Sequence, residues 1–236
     1  MSDPSNSAAI ILQARMDSKR FHGKMMCNLA GIPLIEYVYR RCRLSSIKRV
    51  LIATSYESSD NILYNYCKEN NITIVRGNLN NVLERYIRTA EMIGALYIVR
   101  VCGDTPFVDI SLMEELLNLL INEKLDYVSL NRQTCAFGFY SEAVSLSAIK
   151  KAYTSTKNSD DLEHVTKFIL DNKERFLTKF IDMDLNPDFI KNVRLTIDFP
   201  EDIQVANYII DELLNKYSFT SYDILNTVKR KVLLLK

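Results

Sequence analysis

The sequence predicts an α/β protein whose strands form a parallel sheet. Short runs rich in apolar and β-branched residues alternate with longer segments of helical periodicity. This alternation is typical of parallel strands that are joined by crossover helices. Two of the strand runs are continuously apolar, as expected for strands that are buried on both faces of a sheet. The chain has 236 residues, of which 47% are hydrophobic, and this is enough for one domain with a substantial core.

Five strands and four helices are predicted in the first 130 residues. The strands are AAIILQA (8–14), RVLIAT (49–54), ITIVR (72–76), ALYIVRV (95–101) and DYVSL (126–130). The helices are PLIEYVYRRCRL, SSDNILYNYCKEN, NNVLERYIRTAEMI and DISLMEELLNLLINEK. These four segments have apolar residues at i, i+3 and i+4, which is the spacing of an amphipathic helix. Asp109 and Ser111 are candidate N-caps of the fourth helix.

The pattern becomes less regular after residue 131. NRQTCAFGFYSEAVSL has no clear period, SDDLEHVTKFILDN predicts a helix, and FLTKFIDMD predicts an extended segment. NVRLTIDFPEDIQVANYIIDELLNK then returns to a strand (193–197) and a helix. We interpret residues 132–190 as an elaboration that is inserted before the last strand of the sheet. The chain is therefore predicted to be a single domain (1–236) with one inserted lobe.

Composition and charge exclude several classes of function. Thirty Lys and Arg residues balance 29 Asp and Glu residues, so no overall charge attracts nucleic acid or an anionic membrane. The apolar runs are shorter than the ~20 residues of a membrane span, and MSDPSNSAA lacks the basic end and apolar core of a signal peptide. We therefore expect a cytoplasmic protein without nucleic-acid or membrane partners. The cysteines are odd in number and form no CxxC pair, so we expect reduced thiols at Cys27, Cys42, Cys67, Cys102 and Cys135.

A cationic loop follows the first predicted strand. The stretch QARMDSKRFHGK (13–24) has few apolar residues, and its cations are Arg15, Lys19, Arg20 and Lys24. Open α/β sheets bind ligands outside the carboxyl ends of their strands. The loop is therefore a candidate anion site, although a solvated surface bend would have the same composition.

Two carboxylates follow other strands of the predicted sheet. Asp104 stands beside Gly103 after strand 95–101, and Asp198 follows strand 193–197. Mg²⁺ is usually held by one or two carboxylates together with phosphate oxygens and water, while Lys and Arg neutralise charge on a leaving phosphate. Together these features predict a site for a polyphosphate and a divalent metal, whereas either aspartate alone could simply cap a turn. Gly103 and the four cations form the predicted nucleotide-binding set.

Other kinds of site lack their sequence signals. The chain has no G-x-G-x-x-G after its first strand, no G-x-x-x-x-G-K-[ST] and no G-x-S-x-G elbow. These absences argue against a dinucleotide site, a P-loop and a covalent nucleophile. His22 and His164 are too few and too far apart to suggest a metal pair. The turn in RGNLNNVLERY (76–86) could contact a nucleotide or could be a plain helix N-cap.

Five stretches resemble cytidylyltransferases that make CMP-activated acidic sugars, especially the spore-coat polysaccharide SpsF-like branch. They are IILQARMDSKRFHGKMMCNLAGIPLIEYV, VRGNLNNVLERY, VRVCGDTPFVD, LEHVTKFI and RLTIDFPED, in the order of the branch and across essentially the whole chain. The resemblance implies a three-layer α/β/α sandwich of the nucleotide-diphospho-sugar transferase type, with a mostly parallel sheet. It also implies a homodimer that forms through the elaboration before the last strand.

The resemblance further implies an activity and the residues that carry it. Arg15 and Lys24 match residues that contact the triphosphate and support the transfer step, and Arg20 matches a further phosphate contact. Asp104 and Asp198 match the metal-binding aspartates of the family. The implied reaction is a Mg²⁺-dependent transfer of CMP from CTP to a sugar acid or sugar phosphate acceptor, with release of pyrophosphate, for surface polysaccharide synthesis.

The sequence departs from the pattern of the branch at three places. His22 stands where proline is frequent, Leu162 replaces a frequent arginine, and AFGFYSEAV (136–144) lacks an acidic pair after its glycine. The last two places lie where an acceptor sugar would be expected. Two alternative functions stay open: a glycosyltransferase, which would need an acidic motif such as DMD (182–184), and a non-catalytic nucleotide-binding subunit.

Overall fold

The computed structural model of the protein describes residues 4–183, 185 and 193–234. In this part of the chain, seven strands form one sheet in the order β3-β2-β1-β4-β6-β5-β7. The strands are β1 (Ala8–Gln13), β2 (Val50–Ser55), β3 (Ile74–Gly77), β4 (Tyr97–Cys102), β5 (Tyr127–Leu130), β6 (Glu142–Ser145) and β7 (Thr178–Ile181). Only β6 is antiparallel to its neighbours, β4 and β5. The predicted mostly parallel sheet is confirmed.

Helices cover both faces of the sheet. They are α1 (Leu34–Cys42), α2 (Asn61–Glu69), α3 (Val82–Met92), α4 (Ile110–Asn122), α5 (Leu146–Ser155), α6 (Ser159–Glu163), α7 (Lys167–Asp171), α8 (Pro200–Asp211) and α9 (Ser221–Leu234). A short hairpin, Asn28–Leu29 and Ile32–Pro33, precedes α1. None of the helices in the described ranges is both long and apolar enough to cross a membrane.

The central strand β1 explains the layered architecture. Ile10 and Leu12 belong to a core cluster that includes residues of α1, α2, α4, α8 and α9. Ala9 and Ile11 belong to a second cluster with residues of α3, α5 and α7. Because alternate side chains of a strand point to opposite faces, a strand between two helical layers must be apolar throughout. This is why the run AAIILQA has no polar alternation.

The segment 132–190 contributes directly to the sheet. It supplies β6, which pairs between β4 and β5, and the edge strand β7, which is parallel to β5. The predicted single helix over SDDLEHVTKFILDN is instead two short helices, α6 and α7, because the chain turns at 164–166. At this turn the buried Thr166 hydroxyl donates a hydrogen bond to Glu142 Oε2 at 3.0 Å. A tertiary contact therefore competes with the continuous helical pattern.

The predicted last strand (193–197) is wrong as a strand of the sheet. Among the described residues, this segment makes one isolated parallel bridge, between Arg194 and Phe137. Leu195 N donates to Phe137 O at 2.7 Å, and Ile197 N donates to Asp104 O at 2.9 Å. The segment therefore runs along the loops at the carboxyl ends of the parallel strands instead of pairing with one neighbour. This course brings Asp198 to the same edge as the cationic loop.

Candidate active site

The predicted site residues converge on one cavity at the carboxyl ends of β1 and β4. The cavity has a volume of about 590 Å³. Its lining includes all four predicted cations and both predicted carboxylates: Arg15, Lys19, Arg20, Lys24, Asp104 and Asp198. Because neighbouring strands end at the same edge of the sheet, groups that are up to 183 positions apart in the sequence lie together.

Lys24 joins the three segments that build the cavity. Its Nζ donates to Asp104 Oδ2 at 2.5 Å, to Asp198 Oδ1 at 3.3 Å and to Ile197 O at 2.9 Å. The side chain is buried. Gly23, directly before it, has φ of 75°, a left-handed conformation that glycine adopts without strain. The turn therefore directs a buried ammonium group between two carboxylates.

Arg20 forms the outer part of this cluster. Its Nη2 donates to Asp198 Oδ1 at 2.6 Å, and its guanidinium lies 5.5 Å from the centre of the Phe199 ring. More than half of the Arg20 side chain is exposed. The guanidinium is therefore accessible to a phosphate in the cavity, while its partner Asp198 is buried.

Asp202, which the sequence analysis missed, holds the turn that carries Asp198. Its Oδ2 accepts hydrogen bonds from the backbone N–H groups of Asp198 and Phe199, both at 2.8 Å. Its Oδ1 accepts from Arg194 Nη2 at 2.6 Å. Pro200 is the first residue of α8, so Asp202 closes the first turn of that helix back onto the N-cap backbone. A proline followed two positions later by an acidic residue is the sequence signal for this cap.

Asp60, also missed, fixes the start of the cationic loop. It is buried, its Oδ1 accepts from Met16 N at 2.6 Å, and its Oδ2 accepts from Ser55 N at 3.0 Å. At the far end, Gly23 N donates to Met16 O at 2.9 Å. The loop is thus pinned at both ends, while its middle is exposed. His22, in that exposed part, lies 3.4 Å from Asp17.

Arg15 and Lys19 line the cavity from its exposed side. Arg15 Nη1 lies 3.5 Å from Glu163 Oε1, and both side chains are more than 40% exposed. Lys19 is exposed as well. Both cations are accessible to a ligand in the cavity.

Gly103 has a packing role in the structure. Its N–H donates to Gln13 O at 2.9 Å, and a Cβ at this position would lie 2.9 Å from both Met25 Sδ and Ile35 Cδ1. A larger residue here would push the ends of these two side chains aside. Gly103 is not among the described residues that line the cavity. Its contact with a nucleotide stays a prediction.

The turn in RGNLNNVLERY contains an N-cap and one cavity residue. Asn81 Oδ1 accepts from Glu84 N at 3.1 Å, which confirms the N-cap interpretation for the start of α3. Leu79 of the same turn lines the cavity. The turn therefore borders the site with an apolar side chain.

A second cavity of about 340 Å³ adjoins the first. The two cavities share Arg20, Cys102, Asp104 and Asp198. The second is also lined by Arg100, Thr105, Arg132, Cys135, Ala136, Phe137, Gly138, Tyr140 and Thr196. Burial raises the pKa of Cys102 to about 11, so its thiol is neutral at pH 7. Because Asp104 and Asp198 line both cavities, these two carboxylates lie between two spaces, each of which can hold a small molecule.

One of the three sequence departures lies at this second cavity, and another lies in the core. The segment 136–144 supplies part of its lining. Leu162 instead packs against the core cluster of α3 and α5.

The DMD motif lies beyond the edge strand β7. Asp182 Oδ1 accepts a hydrogen bond from Asn131 Nδ2 at 2.7 Å, and Asp184 lies outside the described residues. Asp182 does not line either cavity.

Asp104 and Asp198 fit the ligand preference of Mg²⁺. Both carboxylates accept hydrogen bonds from the same Lys24 ammonium, so the two oxygen ligands lie at one place in the cavity. Within the described ranges, no group of three or more His, Cys, Asp or Glu residues could hold a metal. Mg²⁺ commonly keeps water and substrate phosphate oxygens as its other ligands, so two carboxylates are sufficient protein ligands.

Comparisons with known proteins agree on one family. A family model described as cytidylyltransferase matches residues 9–224. The spore coat polysaccharide biosynthesis protein SpsF of Bacillus subtilis is 25% identical over 233 residues, which cover 95% of each chain. The 3-deoxy-manno-octulosonate cytidylyltransferase of Francisella philomiragia is 27% identical over 123 residues, 51% of this chain and 48% of that protein. A solved cytidylyltransferase from Leptospira borgpetersenii has a TM-score of 0.89 and 25% identity, covering 97% of this chain and 96% of that one.

Proposed function

The chain belongs to the cytidylyltransferase family, on its SpsF-like branch, and from this premise we propose that it transfers CMP from CTP to a sugar acid or sugar phosphate acceptor. Pyrophosphate is the second product, and the activated sugar serves the synthesis of a surface polysaccharide. One observation carries the proposal: a cavity with four cations faces two carboxylates that share Lys24. A triphosphate and a divalent metal are the ligands that match this distribution of charge.

The reaction is a displacement at the α-phosphorus of CTP. An acceptor oxygen forms a bond to that phosphorus, and the bond to the oxygen that bridges the α- and β-phosphates breaks. Pyrophosphate leaves with the electron pair, and the acceptor hydroxyl releases its proton to solvent. Most of the catalysis in such transfers comes from positioning and charge neutralisation. The pinned cationic loop supplies both.

The cations divide into two groups by burial. Arg15, Lys19 and Arg20 are exposed and hold the β- and γ-phosphates as the nucleotide enters. Lys24 is buried between the carboxylates, where it is held in place before the nucleotide binds. It stabilises charge that develops on the departing pyrophosphate.

Asp104 and Asp198 are the residues that would hold Mg²⁺. When bound, the metal polarises phosphate oxygens and neutralises their charge. The two carboxylates lie on the boundary between the cavities, so they place the reacting phosphate between the space for CTP and the second cavity. The acceptor then approaches from the second cavity.

We propose a cytoplasmic homodimer as the working form, since CTP is a cytoplasmic metabolite. The segment 132–190 exposes Leu177 and Phe180 on or next to the edge strand β7. In the described part of the chain β7 pairs with β5 on one side only. A second copy of the chain is the partner that would cover these side chains. Nucleic acid and membrane are not proposed as partners.

A pyrophosphate-release screen tests the function. Each of the four nucleoside triphosphates is offered with Mg²⁺ and with 3-deoxy-manno-octulosonate, glucuronate, glucose 1-phosphate or neutral glucose. We expect release with CTP and an anionic acceptor, and transfer of the label from [α-³²P]CTP to the sugar. Binding of CTP without pyrophosphate release in the presence of any acceptor would indicate a non-catalytic nucleotide-binding subunit. Turnover of a sugar nucleotide instead would indicate a glycosyltransferase.

A further inference from the structure

The second cavity has more positive than negative charge at the end away from the first cavity. Arg100 and Arg132 both line it, and both face the single buried carboxylate of Glu142. Arg100 Nη1 lies 3.0 Å from Glu142 Oε2, and Arg132 Nη2 lies 3.7 Å from Glu142 Oε1. One carboxylate cannot neutralise two guanidinium groups. One positive charge at this end therefore stays without a full partner.

The other end of the cavity is balanced. There, Asp104 and Asp198 are paired with Lys24 and Arg20. The charged groups that face the second cavity from all sides thus sum to an excess of one cation. A cavity with this excess prefers an anionic ligand.

Arg132 is the arginine that is free to bind this anion. Arg100 is nearly buried and also donates to Gln13 Oε1 at 3.1 Å. The Arg132 side chain is 68% exposed, and its guanidinium lies 4.5 Å from the centre of the Tyr140 ring. Its 3.7 Å distance to Glu142 is too long for a hydrogen bond. A guanidinium oriented by an aromatic ring, with unused donors, is suited to two parallel hydrogen bonds with a carboxylate or phosphate.

The position of Arg132 separates the anionic group of the acceptor from its reacting group. Asp104 and Asp198 line both cavities, whereas Arg132 lines the second cavity and not the first. A ligand that spans the second cavity therefore presents its nucleophile near the carboxylates and its anionic group near Arg132. This matches a hydroxyl nucleophile on a molecule with a separate anionic group.

Phe137 supplies an apolar wall of the same cavity. The side chain is 59% exposed, which is unusual for phenylalanine, and it lies on a turn that is tied to the segment carrying Asp198. Gly138 has φ of 122°, and a Cβ there would lie 2.6 Å from Leu195 Cβ, so the turn packs backbone against that segment. The backbone of Phe137 is therefore fixed beside the segment that carries Asp198, and its exposed ring lines the second cavity. A ring of this kind can cover the C–H face of a sugar.

We propose that Arg132 and Phe137 are acceptor-binding residues: Arg132 pairs with the anionic group of the acceptor, and Phe137 packs on an apolar face of its sugar. The inference rests on the proposed function, because it takes the second cavity as the acceptor site. It adds that the acceptor reacts through a hydroxyl while a separate anionic group selects it.

The test is calorimetric binding of acceptors to protein that is preloaded with Mg²⁺ and a CTP analogue whose α–β bridging oxygen is a methylene group. The probes are 3-deoxy-manno-octulosonate, glucuronate, glucose 1-phosphate and neutral glucose. We expect at least one anionic probe to bind more tightly than glucose. Arg132→Met should weaken its binding about tenfold or more and leave the affinity for the CTP analogue unchanged. Phe137→Ala should weaken it several-fold, and Phe137→Tyr should retain it.

Two matched controls accompany these variants. Arg88→Met removes an exposed arginine of α3, and Tyr222→Ala removes an exposed aromatic side chain of α9. Both should bind like wild type. Equal binding of the anionic probes by Arg132→Met and wild type would overturn the inference, as would wild-type binding of glucose as tight as that of every anion. Pyrophosphate release from CTP with a neutral acceptor would overturn it while leaving the cytidylyltransferase reaction standing. A monomer–dimer shift in Phe137→Ala would assign that ring to a subunit interface instead.

Discussion

Lys24 is the residue on which the geometry of the candidate site depends. It is a buried cation between two carboxylates from different segments, and its three hydrogen bonds leave no open donor position. A buried charge without its partner destabilises a protein strongly, so the three groups form a mutually dependent set. In the proposed function this set prepares the site for Mg²⁺, because Lys24 ties Asp104 and Asp198 together before any ligand binds.

The first prediction concerns these two carboxylates. Asp104→Asn and Asp198→Asn each remove one negative charge and keep the shape of the side chain. We expect turnover at saturating Mg²⁺ to fall at least about 100-fold in each variant, because charge on the reacting phosphates is no longer neutralised. Pyrophosphate release measures the loss, and circular dichroism shows whether the fold is kept. Near-normal turnover in both variants would refute the two-carboxylate metal site.

The N-terminus of α8 is the element that orients Asp198. Asp202 accepts hydrogen bonds from the backbone N–H groups of residues 198 and 199, so the helix cap and the candidate metal ligand Asp198 form one structural unit. We predict that Asp202→Ala lowers the free energy of unfolding by about 1–2 kcal/mol and raises the Mg²⁺ concentration needed for half-maximal CTP binding. Asp202→Asn, whose amide oxygen still accepts these hydrogen bonds, should keep most of the wild-type stability and stay close to the wild-type Mg²⁺ requirement. Urea unfolding and calorimetry measure the two quantities. Equal damage in both variants would assign the effect to the Arg194 ion pair.

The pairing of β4 with β6 buries an ion pair beside the second cavity. Burial alone would raise the pKa of Glu142, but the Arg100 charge and the hydrogen bonds from Arg100 and Thr166 hold this pKa below its ordinary value of 4.5. A carboxyl group whose pKa is lower in the folded state stabilises the fold above its unfolded pKa. This stabilisation is lost as the pH falls through the folded pKa.

We therefore predict that Glu142→Gln lowers the free energy of unfolding by about 3 kcal/mol at pH 7, since it leaves Arg100 buried without a counter-charge. The difference from wild type should be constant above about pH 5 and should shrink as the pH falls below 4.5. Urea unfolding across this pH range measures it. Glu91→Gln, which breaks the exposed pair with Lys150, is the control and should change stability by less than about 1 kcal/mol. A difference that does not change with pH would contradict the assignment to ionised Glu142.

At the scale of the whole molecule, the sheet places two cavities on either side of one pair of carboxylates. The middle of the cationic loop is exposed, and three of its cations already pair with carboxylates: Arg15 with Glu163, Arg20 with Asp198, and Lys24 with Asp104 and Asp198. In the proposed function, a bound triphosphate adds several negative charges to this cluster, so we expect the stability of the fold to depend on the charge of the nucleotide.

We predict that CTP with Mg²⁺ stabilises the protein much more than CMP does. At a hundredfold excess over Kd, bound CTP adds about 2.7 kcal/mol to the free energy of unfolding. Differential scanning fluorimetry should show a clear rise in Tm with CTP that shrinks as salt increases, because the contacts are ionic. If CTP and CMP raise Tm equally, the loop does not hold the triphosphate.

The assembly of the molecule gives the last prediction. Leu177 and Phe180 are 62% and 39% exposed at the edge of the sheet. We expect sedimentation equilibrium at micromolar protein to give twice the 27.2 kDa mass of the chain, and Leu177→Lys with Phe180→Lys to shift the mass toward the monomer. The same double lysine substitution should leave the circular dichroism spectrum unchanged. A wild-type monomer at these concentrations would contradict the dimer.

The sequence by itself determined the class of the fold and predicted the four cations and two carboxylates that meet in the first cavity. Periodicity is a local property, so the runs that became β1 to β5 and α1 to α4 were predictable from their own residues. The cationic loop and the two aspartates were predictable because parallel strands bring their carboxyl ends to one edge of a sheet.

Only the tertiary structure decided how these groups are joined and what surrounds them. The contact between Lys24 and Asp198 links residues that are 174 positions apart, and no local pattern records such a pair. Asp60 accepts from the backbone N–H of Met16, which is 44 positions away, and such a contact leaves no trace in side-chain identity. Asp202 has a local signal, its place two positions after Pro200, but only the structure shows that it holds the backbone of Asp198. The break in the predicted helix at 164–166 depends on Glu142 of β6. The segment 193–197 has the composition of a strand, but among the described residues it makes only one isolated bridge, to Phe137, because hydrogen-bonding partners are set by the packing of the whole chain.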